Sequence, residues 1–143
     1  MRFELVRHLR QKAGHLAFNN FLYNWSLGGT IPERPVITLS DSWIGKAEHG
    51  QWLCSGAFAI DGETLEMHGD YWEPVGVSPK WLEHMHGFDW LRDLRALGGD
   101  AARRQAGEMV ASWNRQYYNW HELTWRPDIT GRRVANLLGL FSF

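Results

Sequence analysis

A glycine break does most to limit how this chain can fold. Gly98-Gly99-Asp100 separates two stretches of helical periodicity. Before it, Trp81, Met85, Phe88, Leu91 and Leu94 recur at a spacing that places them on one helix face. After it, Ala102, Ala106, Met109, Val110, Trp113 and Tyr117 do the same. Ser78 offers an N-cap oxygen and Pro79 suits a first helical turn. Gly98-Gly99 stops the first helix, and Asp100 is expected to cap the second. Helices joined this tightly must fold back on each other, so the sequence predicts an αα-hairpin over 79–118, the unit of both bundles and helical toroids.

The rest of the chain reads around that hairpin. Leu5, Val6, Leu9, Ala13, Leu16 and Ala17 predict a helix over 2–25, with Arg2, Arg7, Arg10 and Lys12 mostly off the apolar face and Gly28-Gly29 as the stop. That face is expected to pack on the domain; the alternative is a membrane surface. Residues 28–51 look irregular, punctuated by Pro32 and Pro35, with Val36-Ile37-Thr38-Leu39 as an extended piece. A small β-hairpin is expected near 52–68: Trp52-Leu53-Cys54 and Ala57 to Ile60 precede the turn signal Asp61-Gly62, and Thr64 to Met67 follow. Residues 69–78 read as a loop. Asp128 is expected to cap a last helix with Val134, Leu137, Leu138 and Phe141 on one face. That helix reaches Phe143 without a stop signal, which suggests a fragment. The expected fold is therefore mainly α with one β-hairpin, in three segments of one domain: 1–27, 28–78 and 79–143.

Composition narrows the function. A formal net charge of −1 argues against nucleic acid. The cations are arginines apart from Lys12, Lys46 and Lys80, and arginine suits planar pairing with a carboxylate or sulfate; an arginine-rich codon usage gives the same count. Cys54 stands alone, so no internal disulfide forms, and its apolar neighbours predict a buried, inert thiol. No stretch approaches the roughly 20 apolar residues of a membrane span. The expected location is cytoplasmic, or periplasmic if an upstream leader is missing.

Nine tryptophans are the strongest compositional feature. Their faces stack on sugar rings or fill cores equally well. Trp81 and Trp113 sit on helical stripes and read as core; Trp72, Trp120 and Trp125 fall in expected loops, where surface binding competes with burial. His84 and His86 are two apart, which points them to different helix faces and argues against chelation. His86 reads as a core or hydrogen-bonding histidine. No nucleophile, phosphate-loop or dinucleotide motif is present, so no catalytic residue, metal or cofactor is assigned.

One segment stands out chemically. Trp125-Arg126-Pro127-Asp128-Ile129-Thr130-Gly131-Arg132-Arg133 leads to Asn136, which shares a helix face with Arg133. Arginine pairing with a carboxylate and asparagine bonding hydroxyls would suit an acidic sugar; a solvated helix face is the other reading. Together with Asp41 to Ala47, Gly50, Ser55 to Phe58 and His86-Gly87-Phe88-Asp89-Trp90-Leu91-Arg92-Asp93-Leu94, this segment resembles the N-terminal region of heparinase II/III-like proteins of alphaproteobacterial type. The resemblance covers about residues 41–136. It implies the opening helices of an incomplete α/α toroid, followed in complete members by a β-sandwich. It also implies β-elimination on an acidic polysaccharide, with the Tyr, His and Asn catalytic set beyond this chain. Trp120, Trp125, Arg132, Arg133 and Asn136 become the candidate substrate contacts. The expected partners are that polysaccharide and the rest of a longer chain. The alternative is a stand-alone domain that binds glycans or self-associates through exposed apolar helix faces as a homo-oligomer.

Overall fold

The computed structural model describes residues 6, 12–14, 16–17, 20–26, 28–29, 42–60, 62–66, 71–140 and 143. The elements run α1 (Phe21–Ser26), α2 (Ala47–Cys54), β1 (Ala57–Ile60), β2 (Glu63–Glu66), α3 (Pro79–Gly87), α4 (Leu91–Leu97), α5 (Gly99–Tyr117) and α6 (Pro127–Gly139). The fold is mainly helical with one two-stranded antiparallel sheet. An α/α toroid is not shown among the described residues.

The expected αα-hairpin forms between α4 and α5. Ala102, Ala106, Met109, Trp113 and Tyr117 are all buried, as their spacing requires. Gly98 and Gly99 take φ of 70° and 77°, a left-handed backbone that glycine adopts without a Cβ clash. Asp100 is not the cap: α5 begins at Gly99, and Asp100 lies in its first turn, 3.2 Å from Arg103.

The stripe before the break is two helices rather than one. Ser78 caps α3 as expected, its Oγ accepting from the Trp81 amide at 3.2 Å. The helix then stops at Phe88, whose φ is +62°. The Asp89 amide donates to the His84 carbonyl and the Phe88 amide to that of Met85, a Schellman closure. A left-handed non-glycine residue costs roughly 1–2 kcal/mol. Here the cost is offset because the turn drops the Phe88 ring, 1% exposed, among Trp72, Trp90 and Trp113.

Residues 52–54 belong to α2 and not to a strand. Gly50 and Leu53, three apart, face inward, as a helix requires and an alternating strand does not. Cys54 is consequently exposed, against the buried thiol expected from its neighbours. Close approach places α2: a Cβ on Gly45 or Gly50 would meet the Arg92 or Asp93 carbonyl at 2.1 Å or 2.4 Å. Asp93 accepts from the Lys46 amide at 2.7 Å, so α4 itself caps α2. The hairpin pairs Ile60 with Glu63 across the turn, with Gly62 at φ +84°.

Val6, Lys12 to Gly14, Leu16 and Ala17 are helical. The helix expected over 2–25 is broken at Asn20, whose side chain accepts from the Tyr23 amide at 2.8 Å and starts α1. Gly28 closes that helix onto the Trp25 carbonyl. Leu16, Phe21, Leu22 and Trp25 are 70–80% exposed, so these side chains do not pack on the domain. The extended piece expected at 36–39 lies outside the described residues.

Candidate interaction surfaces

α6 packs on α3 with a face that apolar periodicity does not select. Ile129, Arg133, Asn136 and Gly139 point inward. Val134, Leu137 and Leu138, which share one apolar face by spacing, are 47%, 38% and 41% exposed. Phe141 lies outside the described residues. The inversion has a hydrogen-bond cause. The Phe88 turn leaves the carbonyls of His86 and Gly87 facing α6, and buried carbonyls need donors. Arg133 Nη1 donates to the His86 carbonyl at 3.0 Å and to that of Thr124 at 2.9 Å. Asn136 Nδ2 donates to the Gly87 carbonyl at 2.8 Å and to Asp89 Oδ1 at 2.9 Å. Gly87 allows the approach, since a Cβ there would lie 2.7 Å from Arg132 Cδ.

Arg133 is 4% exposed and Asn136 fully buried. The Arg133 guanidinium lies 4.1 Å from the Trp113 ring centroid and 5.4 Å from that of Trp125. Burial lowers its pKa to about 10, so it stays charged at neutral pH. Of the five residues singled out from sequence, Arg133 and Asn136 spend their polar atoms inside the fold. Arg132 reaches the surface and donates to Asp89 Oδ2 at 3.3 Å. Trp125, 37% exposed, gives its indole N–H to the carbonyls of Tyr117 and Asn119. Trp120 is half-buried, against the backbone of Gly14. Trp72, for which surface binding competed with burial, is 1% exposed. His86 is buried and accepts from the Trp113 indole at 3.1 Å.

Two surfaces result. The first is a polar cleft of about 260 Å³ lined by Ile60, Lys80, Glu83, His84, Asp89 and Arg132. Asp89 is its hub, taking Arg92 at 3.3 Å as well as Arg132 and Asn136, with His84 Nδ1 at 3.8 Å. Beside it, Arg126 bridges Glu83 and Asp128, each at 2.6 Å. Those partners raise the Arg126 pKa, and Arg126 holds the Asp128 carboxyl down to about 2. Asp128 therefore serves a first-turn ion pair and not the expected cap. Sequence reasoning missed this hub; the Asp89–Arg92 spacing was its one local signal.

The second is an apolar groove of about 320 Å³ between α5 and α6, lined by Phe88, Gly107, Val110, Ala111, Trp113, Asn114, Arg133 and Leu137. Gly107 lines it with an exposed helical backbone, and nothing lies within 4 Å of a Cβ placed there. A mid-helix glycine costs about 1 kcal/mol against alanine, and neither backbone angle nor packing requires one here.

Among the described residues, no three His, Cys, Asp or Glu side chains gather as a metal site, and no helix is long and apolar enough to cross a membrane.

No protein-family model and no solved structure matches the chain. It is similar to FtsZ-localized protein C of Caulobacter vibrioides (strain NA1000 / CB15N), at 38% identity over 91 residues, 62% of this chain and 16% of that protein. The chain thus spans about a sixth of that relative's length. These findings overturn the heparinase II/III resemblance, and with it the lyase reading and the acidic-polysaccharide partner, and they do not support the stand-alone glycan-binding or homo-oligomeric alternative. Two of the three blocks that carried the resemblance, His86 to Leu94 and Trp125 to Asn136, bond to each other.

Proposed function

We propose that this chain is a division-associated binding module that engages FtsZ, or a protein held at FtsZ, through its surface. One observation carries the reading: the 38% identity over 91 residues with a protein named for its localisation to FtsZ. That relative is much longer, so the proposal concerns this chain's association alone. The cytoplasmic location expected from sequence belongs to the same proposal. So does a contact role for Arg132 and Trp125, which reach the surface.

A fluorescent fusion of this chain tests the reading in cells whose FtsZ is labelled in a second colour. Coincident bands that disperse on FtsZ depletion are expected. Diffuse signal with an intact FtsZ band would overturn it.

A second reading concerns the N-terminal helix. Leu16, Phe21, Leu22 and Trp25 expose large apolar side chains, and the preceding sequence carries Arg2, Arg7, Arg10 and Lys12. An exposed apolar face with basic neighbours suits the interface of an anionic bilayer. Sedimentation with phosphatidylglycerol vesicles, but not with phosphatidylcholine vesicles, is expected. It should be lost when Phe21, Leu22 and Trp25 are all replaced by Ser. Equal recovery of wild type and triple variant refutes the membrane role.

A further inference from the structure

We infer that the groove between α5 and α6 docks an apolar segment of a partner protein whose carboxylates lie near the two ends of that segment. The inference rests on the FtsZ-association reading and assigns it a surface. Three observations converge. Leu137 lines the groove, and with Val134 and Leu138 of the same helix it is 38–47% exposed. Packing inside the chain therefore does not account for them, and exposed apolar clusters mark interaction sites.

Gly107 lines the groove, with open space at a would-be Cβ. A glycine kept in a helix against its propensity suits a second backbone that comes close. The concave space favours a rod-like segment over a flat bilayer.

Charge specifies the occupant. On α5, Arg104, Glu108 and Arg115 follow three- and four-residue spacing with the groove-lining Ala111, which puts them on the same helix face. Arg104 and Arg115 are exposed and make no ion pair among the described residues. They stand about 16 Å apart along the axis. Glu108 lies between them and repels a carboxylate at mid-groove. The matching pattern is acidic at both ends and apolar between, on a segment of about three helical turns.

FtsZ filaments serve as the probe, in co-sedimentation with the full chain. Wild-type protein should pellet with the filaments. Gly107→Leu and the double reversal Arg104→Glu/Arg115→Glu should each weaken pelleting at least tenfold. Gly107→Ala should raise the thermal midpoint by about 3–5 °C while weakening binding, a split that a purely structural glycine would not produce. If wild type fails to pellet, this inference and direct engagement of FtsZ both fall, and engagement through a protein held at FtsZ is left to the band test in cells. If wild type pellets and the variants match it, the groove assignment alone falls. A lower thermal midpoint for Gly107→Leu would show the chain's own residues in the groove. A wild-type dimer dissolved by Gly107→Leu would show a second copy there. Loss of vesicle binding without loss of filament binding would show a membrane. Each of these also overturns the inference.

Discussion

Replacing Arg133 with Met tests the central packing argument, because it keeps the side chain's length and removes its donors. The substitution leaves the carbonyls of His86 and Thr124 without the Arg133 bonds at 3.0 Å and 2.9 Å. Each buried acceptor left without a donor costs roughly 1–3 kcal/mol. The guanidinium stacked 4.1 Å from the Trp113 centroid is lost as well, worth about 1–2 kcal/mol when desolvated. Removing a buried charge returns part of this, since a guanidinium is costly to desolvate. A net loss of about 3 kcal/mol follows, a large share of a typical total of about 5–15 kcal/mol. In a chain of this length the thermal midpoint should fall by about 10 °C. The neighbouring Arg132→Met is the control: its one exposed pair, with Asp89 at 3.3 Å, is worth under about 1 kcal/mol. Urea unfolding followed by tryptophan fluorescence gives both values. A loss below about 1 kcal/mol for Arg133→Met, or equal losses for the two variants, would refute the claim that Arg133 holds α6 to the Phe88 turn.

Other consequences follow from the same contacts. Asn136→Leu should cost about 2 kcal/mol in urea unfolding by leaving the Gly87 carbonyl and Asp89 Oδ1 short of a donor. Gly45→Ala should cost more than about 3 kcal/mol or prevent folding, because its Cβ would strike the Arg92 carbonyl at 2.1 Å; circular dichroism and thermal melting report it. Asp128 has its pKa lowered to about 2 by Arg126, below the usual value of about 3.9. Its pairing therefore stabilises the fold above pH ~4 and is lost as pH falls toward 2. Carbon-13 NMR titration of the carboxyl should show the low midpoint, and Arg126→Met should return it toward 3.9. Phe88→Gly removes the left-handed strain at φ +62° together with a ring that is 1% exposed. The lost burial should dominate, lowering stability by about 2–4 kcal/mol in urea unfolding.

Much of the scaffold is legible locally. The α5 stripe buries as its spacing demands. Ser78 and Pro79 start α3, and Gly98 separates α4 from α5. The turn at Gly62 closes the hairpin. These features depend on neighbours a few residues away, where periodicity and backbone preference act alone. The surfaces are less legible. Arg132 and Arg133 are adjacent in the chain, yet one faces solvent and the other fills the core.

Tertiary structure decided what the glycine-flanked stripes could not. Both helices were readable on either side of Gly98-Gly99, but the first breaks again at Phe88, where the ring finds its pocket only after distant aromatic residues assemble. That break turns two carbonyls toward α6, and α6 answers with Arg133 and Asn136 inward and its leucines outward. Apolar spacing measures hydrophobicity along one helix. It carries no record of an unpaired carbonyl on another helix, and satisfying that buried acceptor outweighs placing one more leucine in the core.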